Sequence, residues 1–102
     1  MATFILAPDA DADLEGIFDY TTRKWGPEQA FKYLSQLNEC AEALAAGKAR
    51  FRKLTGRFAG MVMLKCQHHF IFSRLRKDRP AEIFAVFHEQ MDLVARLGER
   101  LG

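Results

Sequence analysis

Two strand-like runs and the turn between them constrain this chain more than any other feature. His69-Phe70-Ile71-Phe72-Ser73-Arg74-Leu75-Arg76 and Ala81-Glu82-Ile83-Phe84-Ala85-Val86-Phe87 are rich in β-branched and aromatic residues. Lys77-Asp78-Arg79-Pro80 between them reads as a hairpin turn. Strict alternation sets Phe70 and Phe72 opposite His69, Ile71 and Leu75. In the next strand it sets Phe84 and Val86 opposite Ile83, Ala85 and Phe87. Both faces are therefore apolar, whereas a sheet covered on one side keeps a polar face. The second face needs cover from the C-terminal segment, from a partner, or from both.

The rest of the chain reads as cover for this hairpin. Thr3-Phe4-Ile5-Leu6 is a short apolar run, read as a first strand. Pro8 suits the first turn of a helix, followed by Asp9 and Asp11 at its positive end. That helix runs from about Pro8 to Lys24, with Ala10, Leu14, Ile17 and Thr21 as its inner stripe and Phe18 widening it. Gly26 closes it in a left-handed conformation and Pro27 opens a second helix to about Ala46, so Trp25-Gly26-Pro27 is the elbow of a helical hairpin. Ala30, Tyr33, Leu34, Leu37, Ala41 and Leu44 form the stripe of the second helix. From Gly47 to Gly60 the chain is a basic loop with Phe51, Leu54 and Phe58 pinned to the core. Met61-Val62-Met63-Leu64 is a second strand, and Cys66-Gln67-His68 leads into the hairpin. The last three strands pair as an antiparallel meander, and the N-terminal strand must join the same sheet to bury its apolar face.

At 102 residues, 49% hydrophobic and 27% charged, the chain suits one domain, residues 1–102, rather than a disordered segment. No apolar run reaches the roughly 20 residues a membrane helix needs, and no signal peptide is visible, which points to the cytoplasm. In a reducing compartment Cys40 and Cys66 are expected as free, partly buried thiols. Residues 1–46 hold eight acids against three bases, −5, and residues 47–102 hold twelve bases against five acids, +7. That asymmetry suggests an acidic helical side and a basic sheet side, suited to nucleic acid or an acidic protein.

Chemistry is sparsely signalled. Cys66, His68, His69 and His88 are the only soft ligands brought near one another, without the paired spacing of a structural zinc site, so neither metal nor cofactor is expected. No nucleophile elbow, phosphate loop or dinucleotide fingerprint is present. Cleavage of RNA through its own 2′-hydroxyl needs a base, an acid and a cation for the phosphorane. His88, Glu89, Arg74, Arg76 and Arg57 are the residues available for it. Both tyrosines, Tyr20 and Tyr33, lie on the helices, where packing explains them.

Asp13-Leu14, Ile17, Tyr20 and Trp25-Gly26 in the first helix and its elbow, with Gln29-Ala30, Tyr33 and Leu37 in the second, form one part of a wider pattern. His69-Phe70-Ile71-Phe72 with Arg74, then Val86-Phe87-His88 with Met91-Asp92, complete it. In this order, over nearly the full length, the chain resembles ParE, the toxin of ParD–ParE toxin–antitoxin systems, within the RelE/ParE superfamily. The resemblance implies an α+β fold: an N-terminal strand, an antiparallel helical hairpin packed on a small antiparallel sheet, and a short C-terminal helix. It implies a bacterial toxin neutralised by a ParD-like antitoxin, which binds operator DNA through its own ribbon-helix-helix part. Family members with an assigned target mostly inhibit DNA gyrase, whereas RelE-like relatives cut messenger RNA on the ribosome. His88-x-x-Met91-Asp92 favours the first branch, so an inhibitor is expected rather than a catalyst. A degenerate, non-toxic binding module is the third reading. Candidate target contacts are Arg57, Arg74, Arg76, His88, Met91 and Asp92; candidate antitoxin anchors are the aromatics Phe18, Trp25 and Phe31. A nuclease would draw on His88, Arg74 and Arg57.

Overall fold

The computed structural model describes residues 4–102; Thr3, assigned above to the first strand, lies outside them. The elements run β1 (Phe4–Leu6), α1 (Pro8–Trp25), α2 (Pro27–Ala45), β2 (Arg52–Lys53), a single 3-10 turn at Gly56–Phe58, β3 (Val62–Cys66), β4 (His69–Arg74), β5 (Ala81–His88) and α3 (Leu93–Leu101). One five-stranded sheet has the order β1-β5-β4-β3-β2. β1 lies parallel to β5 and the other pairings are antiparallel, so the sheet is mixed. The two-residue β2, on the basic stretch read as loop, forms one edge.

The helical hairpin forms where its sequence signals place it. Pro8 and Pro27 open the two helices, and the Gly26 N–H caps the first by donating to the Thr22 carbonyl. Gly26 sits at φ 93°, ψ 163°, an extended region reserved for glycine and not the left-handed helical conformation expected from sequence. Ala10, Leu37, Ala41 and Leu44 from the helices meet Val62, Ile71, Ile83 and Val86 from the sheet in one core layer.

The second face of the β4–β5 hairpin carries its own core. Phe72, Phe84, Ala85 and Phe87 pack there with Leu97 of α3, flanked by Leu93, Leu101, Leu54 and Phe58. The cover is thus the C-terminal helix together with the 54–61 segment. Asp92 starts α3 by accepting the Ala95 N–H at 3.2 Å. Strict alternation along β5 fails at one place. Phe72 pairs with Ala85 but Ser73 pairs with Ile83, so Phe84 is an extra, bulged residue. The bulge turns Phe84 and Ala85 to the same side, with Phe87, and leaves Ile83 and Val86 on the helix side.

Cys40 and Cys66 are joined in a disulfide, which corrects the expectation of free thiols. Cys40 faces the sheet one turn along α2 from Leu37, and Cys66 ends β3 directly beneath it, so packing brings together two residues 26 apart in sequence.

β1 covers β5 only as far as Ile83, and its edge beyond that point has no strand neighbour. Side chains substitute for one. Arg100 of α3 donates from Nη1 to the Phe84 carbonyl at 2.9 Å, and the Val86 N–H donates to Asp13 Oδ2 of α1 at 3.0 Å. Arg100 and Asp13 are themselves joined by two bonds, Nη1 to Oδ2 at 2.9 Å and Nη2 to Oδ1 at 3.0 Å. Phe84 and Val86, two residues apart along the strand, present their carbonyl and N–H to the same open edge. Asp13 also raises the Arg100 pKa further, keeping the guanidinium charged.

Two stability predictions follow from this framework. Cys40→Ser should lower stability in non-reducing buffer by about 3 kcal/mol, the loop-entropy estimate for a crosslink of this span. The wild-type melting midpoint in dithiothreitol should fall to that of the variant. Arg100→Leu should cost on the order of 2–3 kcal/mol, since it strands a carboxylate, a carbonyl and the packing around them. Adding Asp13→Leu should recover part of that loss in urea titrations.

Candidate functional site

A groove of about 1510 Å3 runs along the open edge of β5, between α1, the start of α2, the β3–β4 turn and α3. Its position follows from the topology: β1 stops short, and the helical elbow and α3 rise on either side. Tyr20 and Trp25 form part of one wall and are more than half exposed, so packing does not explain Tyr20 as the sequence suggested. The Lys24 ammonium lies over both rings, 5.5 Å from the Tyr20 centroid and 5.9 Å from that of Trp25.

At the groove's inner end a polar cluster joins α2 to the sheet. The Tyr33 hydroxyl oxygen accepts the His68 backbone N–H at 3.2 Å and lies 2.6 Å from His69 Nδ1. With the hydroxyl donating to Nδ1, the neutral His69 would carry its proton on Nε2. The His69 ring meets His88 edge to face with centroids 5.0 Å apart. His88 Nδ1 accepts the Gln90 N–H at 3.1 Å, so its Nε2 also carries the proton when neutral. Burial first, then the neighbouring His88 and His68, lower the His69 pKa from 6.5 to about 4. Burial likewise raises the Tyr33 pKa, against the His68 N–H bond that lowers it. Both groups are therefore neutral at pH 7.

The outer rim of the cluster is ionic. His68 Nδ1 and Lys65 Nζ contact the two oxygens of Glu89 at 2.8 and 3.2 Å. The His68 bond, followed by that of Lys65, lowers the Glu89 pKa. The turn that carries His68 has only two residues, and Gln67 takes φ 58° in it. Positive φ at the first central position of such a hairpin ordinarily selects glycine. Among the described residues, no group of three or more His, Cys, Asp or Glu could hold a metal ion, and no helix is long and apolar enough to cross a membrane.

The residues singled out from sequence divide between distant places. His88 and Met91 line the groove, while the Asp92 carboxylate caps α3. Arg74 lies at the other end of β4, six residues or roughly 16 Å away at about 3.3 Å per residue, its guanidinium 5.5 Å from the Phe84 ring centroid. Arg76 donates from Nε and Nη2 to the Pro80 carbonyl and closes the β4–β5 turn. Arg57 lies against α3, Nη2 3.2 Å from where a Gly98 Cβ would stand. His88, Arg74 and Arg57 thus do not converge. Phe18 and Phe31 pack edge to face at 5.2 Å across the two helices, with Phe31 64% exposed, whereas Trp25 stands on the groove. The Tyr33–His69 contact spans 36 residues, and no local motif announces it.

Holding His69 neutral has a measurable consequence. The unfolded chain takes up its proton near pH 6.5 and the folded one only near pH 4. Stability should therefore fall as pH drops through that window, on the order of 3 kcal/mol in all. His69→Gln should flatten this part of the pH profile, read from urea midpoints between pH 7 and 4.

Comparison with known proteins gives this architecture its family. The family model described as "ParE toxin of type II toxin-antitoxin system, parDE" matches residues 4–93. The chain is 41% identical over 101 residues to the toxin ParE of Escherichia coli, covering 99% of this chain and 98% of that protein. Toxin ParE1 of Mycobacterium tuberculosis is 31% identical over 90 residues, covering 88% of this chain and 92% of the other. A chain from the chromosomal ParDE system of P. aeruginosa shares the fold at a TM-score of 0.71, with 22% identity over 86% of this chain and 96% of that one. A YoeB/ParE toxin from Agrobacterium tumefaciens superposes at 0.57 with 13% identity, covering 84% and 96%. A full-length match to curated relatives above 30% identity, on a shared fold, settles the matter: the chain belongs to the ParE toxin family of type II toxin–antitoxin systems.

Proposed function

We propose that this chain, folded as one toxin domain over residues 1–102, is held inactive in the cytoplasm by a ParD-like antitoxin and, when released, poisons DNA gyrase or a related topoisomerase. Family membership supports the toxin and antitoxin parts. The observation that favours an inhibitor over a ribonuclease is the scatter of the cationic groups. Arg74 and Arg76 lie at the opposite end of the sheet from His88, and Arg76 is spent on closing a turn. A phosphorane needs base, acid and cation within hydrogen-bond reach of one another.

In this reading the antitoxin docks on the helical hairpin, with Phe31 and Trp25 as anchors and Phe18 beneath Phe31. Its own DNA-binding part carries the complex to the operator. Arg57, Arg74 and Arg76 on one side, and His88, Met91 and Asp92 on the other, are two separate candidate surfaces for the target.

Purified toxin should inhibit gyrase supercoiling, accumulate cleaved DNA and leave messenger RNA intact in a translating extract. Ribosome-dependent RNA cleavage that His88→Ala abolishes would install the nuclease reading instead. Phe31→Ala should weaken antitoxin binding about tenfold, the loss of one exposed aromatic anchor. An unchanged affinity by calorimetry would remove Phe31 from the interface.

A further inference from the structure

All three histidines, all four glutamines, both tyrosines and the single tryptophan of the chain line the one groove beside β5. Hydrogen bonds and ring contacts account for Tyr33, His68, His69 and His88 at the inner end, but among the described residues no such hydrogen bond or ring–ring contact holds Trp25, Gln29 or the Gln67 side chain there. What they share is recognition chemistry: side-chain amides and imidazoles both donate and accept hydrogen bonds, and the aromatic rings offer flat faces. The groove's charges are largely consumed. Asp13 is bound to Arg100, and Arg96 faces Glu99 at 4.0 Å. Among the described residues Lys32 has no carboxylate partner.

We propose that this groove binds a nucleobase with its attached phosphate, presented either by a free nucleotide or by a single strand. The exposed faces of Trp25 and Tyr20 take the base by stacking, which is tolerant of base identity. Gln29 and Gln67 offer amides to its hydrogen-bonding edge, as amides do to adenine. Lys32 and the Nε2–H of His88 meet the phosphate, His88 being oriented by the Gln90 N–H on its other nitrogen. An extended peptide is disfavoured for a specific reason. Added as a strand, it would need the open edge of β5, where Arg100 and Asp13 already occupy the Phe84 carbonyl and the Val86 N–H. Gln67 adds an independent indication. It holds φ 58° where glycine would be unstrained, and it lines the groove from that position. The site is distinct from the Phe18–Phe31 pair but shares Trp25 and His88 with the antitoxin and target surfaces proposed above.

Trp25 is the only tryptophan, so its fluorescence reports from the groove wall alone. The folded protein is titrated with each of the four ribonucleoside monophosphates, with single-stranded tetranucleotides of RNA and DNA, with inorganic phosphate, and with a capped hexapeptide. Saturable quenching by nucleotides, with none by phosphate or peptide, is the expected result. A tetranucleotide that binds at least about tenfold more tightly than its monomers assigns the site to a single strand, because extra stacking and phosphate contacts add. Equal affinities assign it to a free nucleotide. Gln67→Gly should raise the melting temperature by relieving strain and yet weaken binding about fivefold, a separation that a purely structural role does not produce. Lys32→Ala, at an exposed position, should weaken binding and flatten its salt dependence. Absence of saturable quenching by every nucleotide and strand overturns the proposal. So does quenching unaltered in both variants, or quenching by the peptide that competes with the nucleotide.

Discussion

Everything in this fold turns on β5, a strand buried on both faces and left without a neighbouring strand along half of one edge. Burial on both faces demands two cores. The helical hairpin supplies one, and α3 with the 54–61 segment supplies the other. The unpaired edge demands hydrogen-bond partners, because a buried backbone group without one costs on the order of 1–3 kcal/mol. Asp13 and Arg100 meet that demand from opposite layers, so a single ion pair ties the first helix, β5 and the last helix together. The groove is what remains of the edge after they have done so.

That arrangement divides the molecule by chemistry. One end of the sheet holds the arginines, engaged with a turn carbonyl and with aromatic faces. The other end holds the imidazoles, amides and exposed rings, with Tyr33 and His69 held neutral at its inner side and Glu89 paired with Lys65 and His68 at its rim. The charge asymmetry between the chain's two halves is bridged by ion pairs from the first helix to the last. Its most consequential pair, Asp13 with Arg100, is a contact between those halves that neutralises both.

Much of this was legible in the amino-acid sequence. Helical periodicity marked Ala10, Thr21, Leu37 and Leu44 as core, and the two prolines and Gly26 marked the elbow. The apolar character of both hairpin faces announced the need for a second cover. What escaped was whatever depends on register or on distance along the chain. A bulge has no sequence signature here, so Phe84 and Ala85 were set on opposite faces when they share one. The Cys40–Cys66 bond and the Tyr33–His69 contact join residues 26 and 36 positions apart. Neither partner carries a local motif, and only the docking of α2 on β3 and β4 brings them together. Family resemblance located the fold, and several positions that carry it, Tyr20, Trp25, Tyr33, His88 and Met91 among them, line the groove without announcing that they meet there.

The span of the Asp13–Arg100 pair has a consequence for how the protein is made. The two residues are separated by 87 positions. At about 5–20 residues per second, the ribosome needs roughly 4–17 s to reach the second after adding the first. During that interval the helical hairpin, built from local contacts, has ample time to form, while the edge of β5 cannot yet be sealed. β5 is complete only at His88, so its edge waits for Arg100 over the last 12 residues of that interval, roughly 0.6–2.4 s. Until the last helix is added, the fold lacks both the Leu97 side of its second core and the cation that closes the edge of β5.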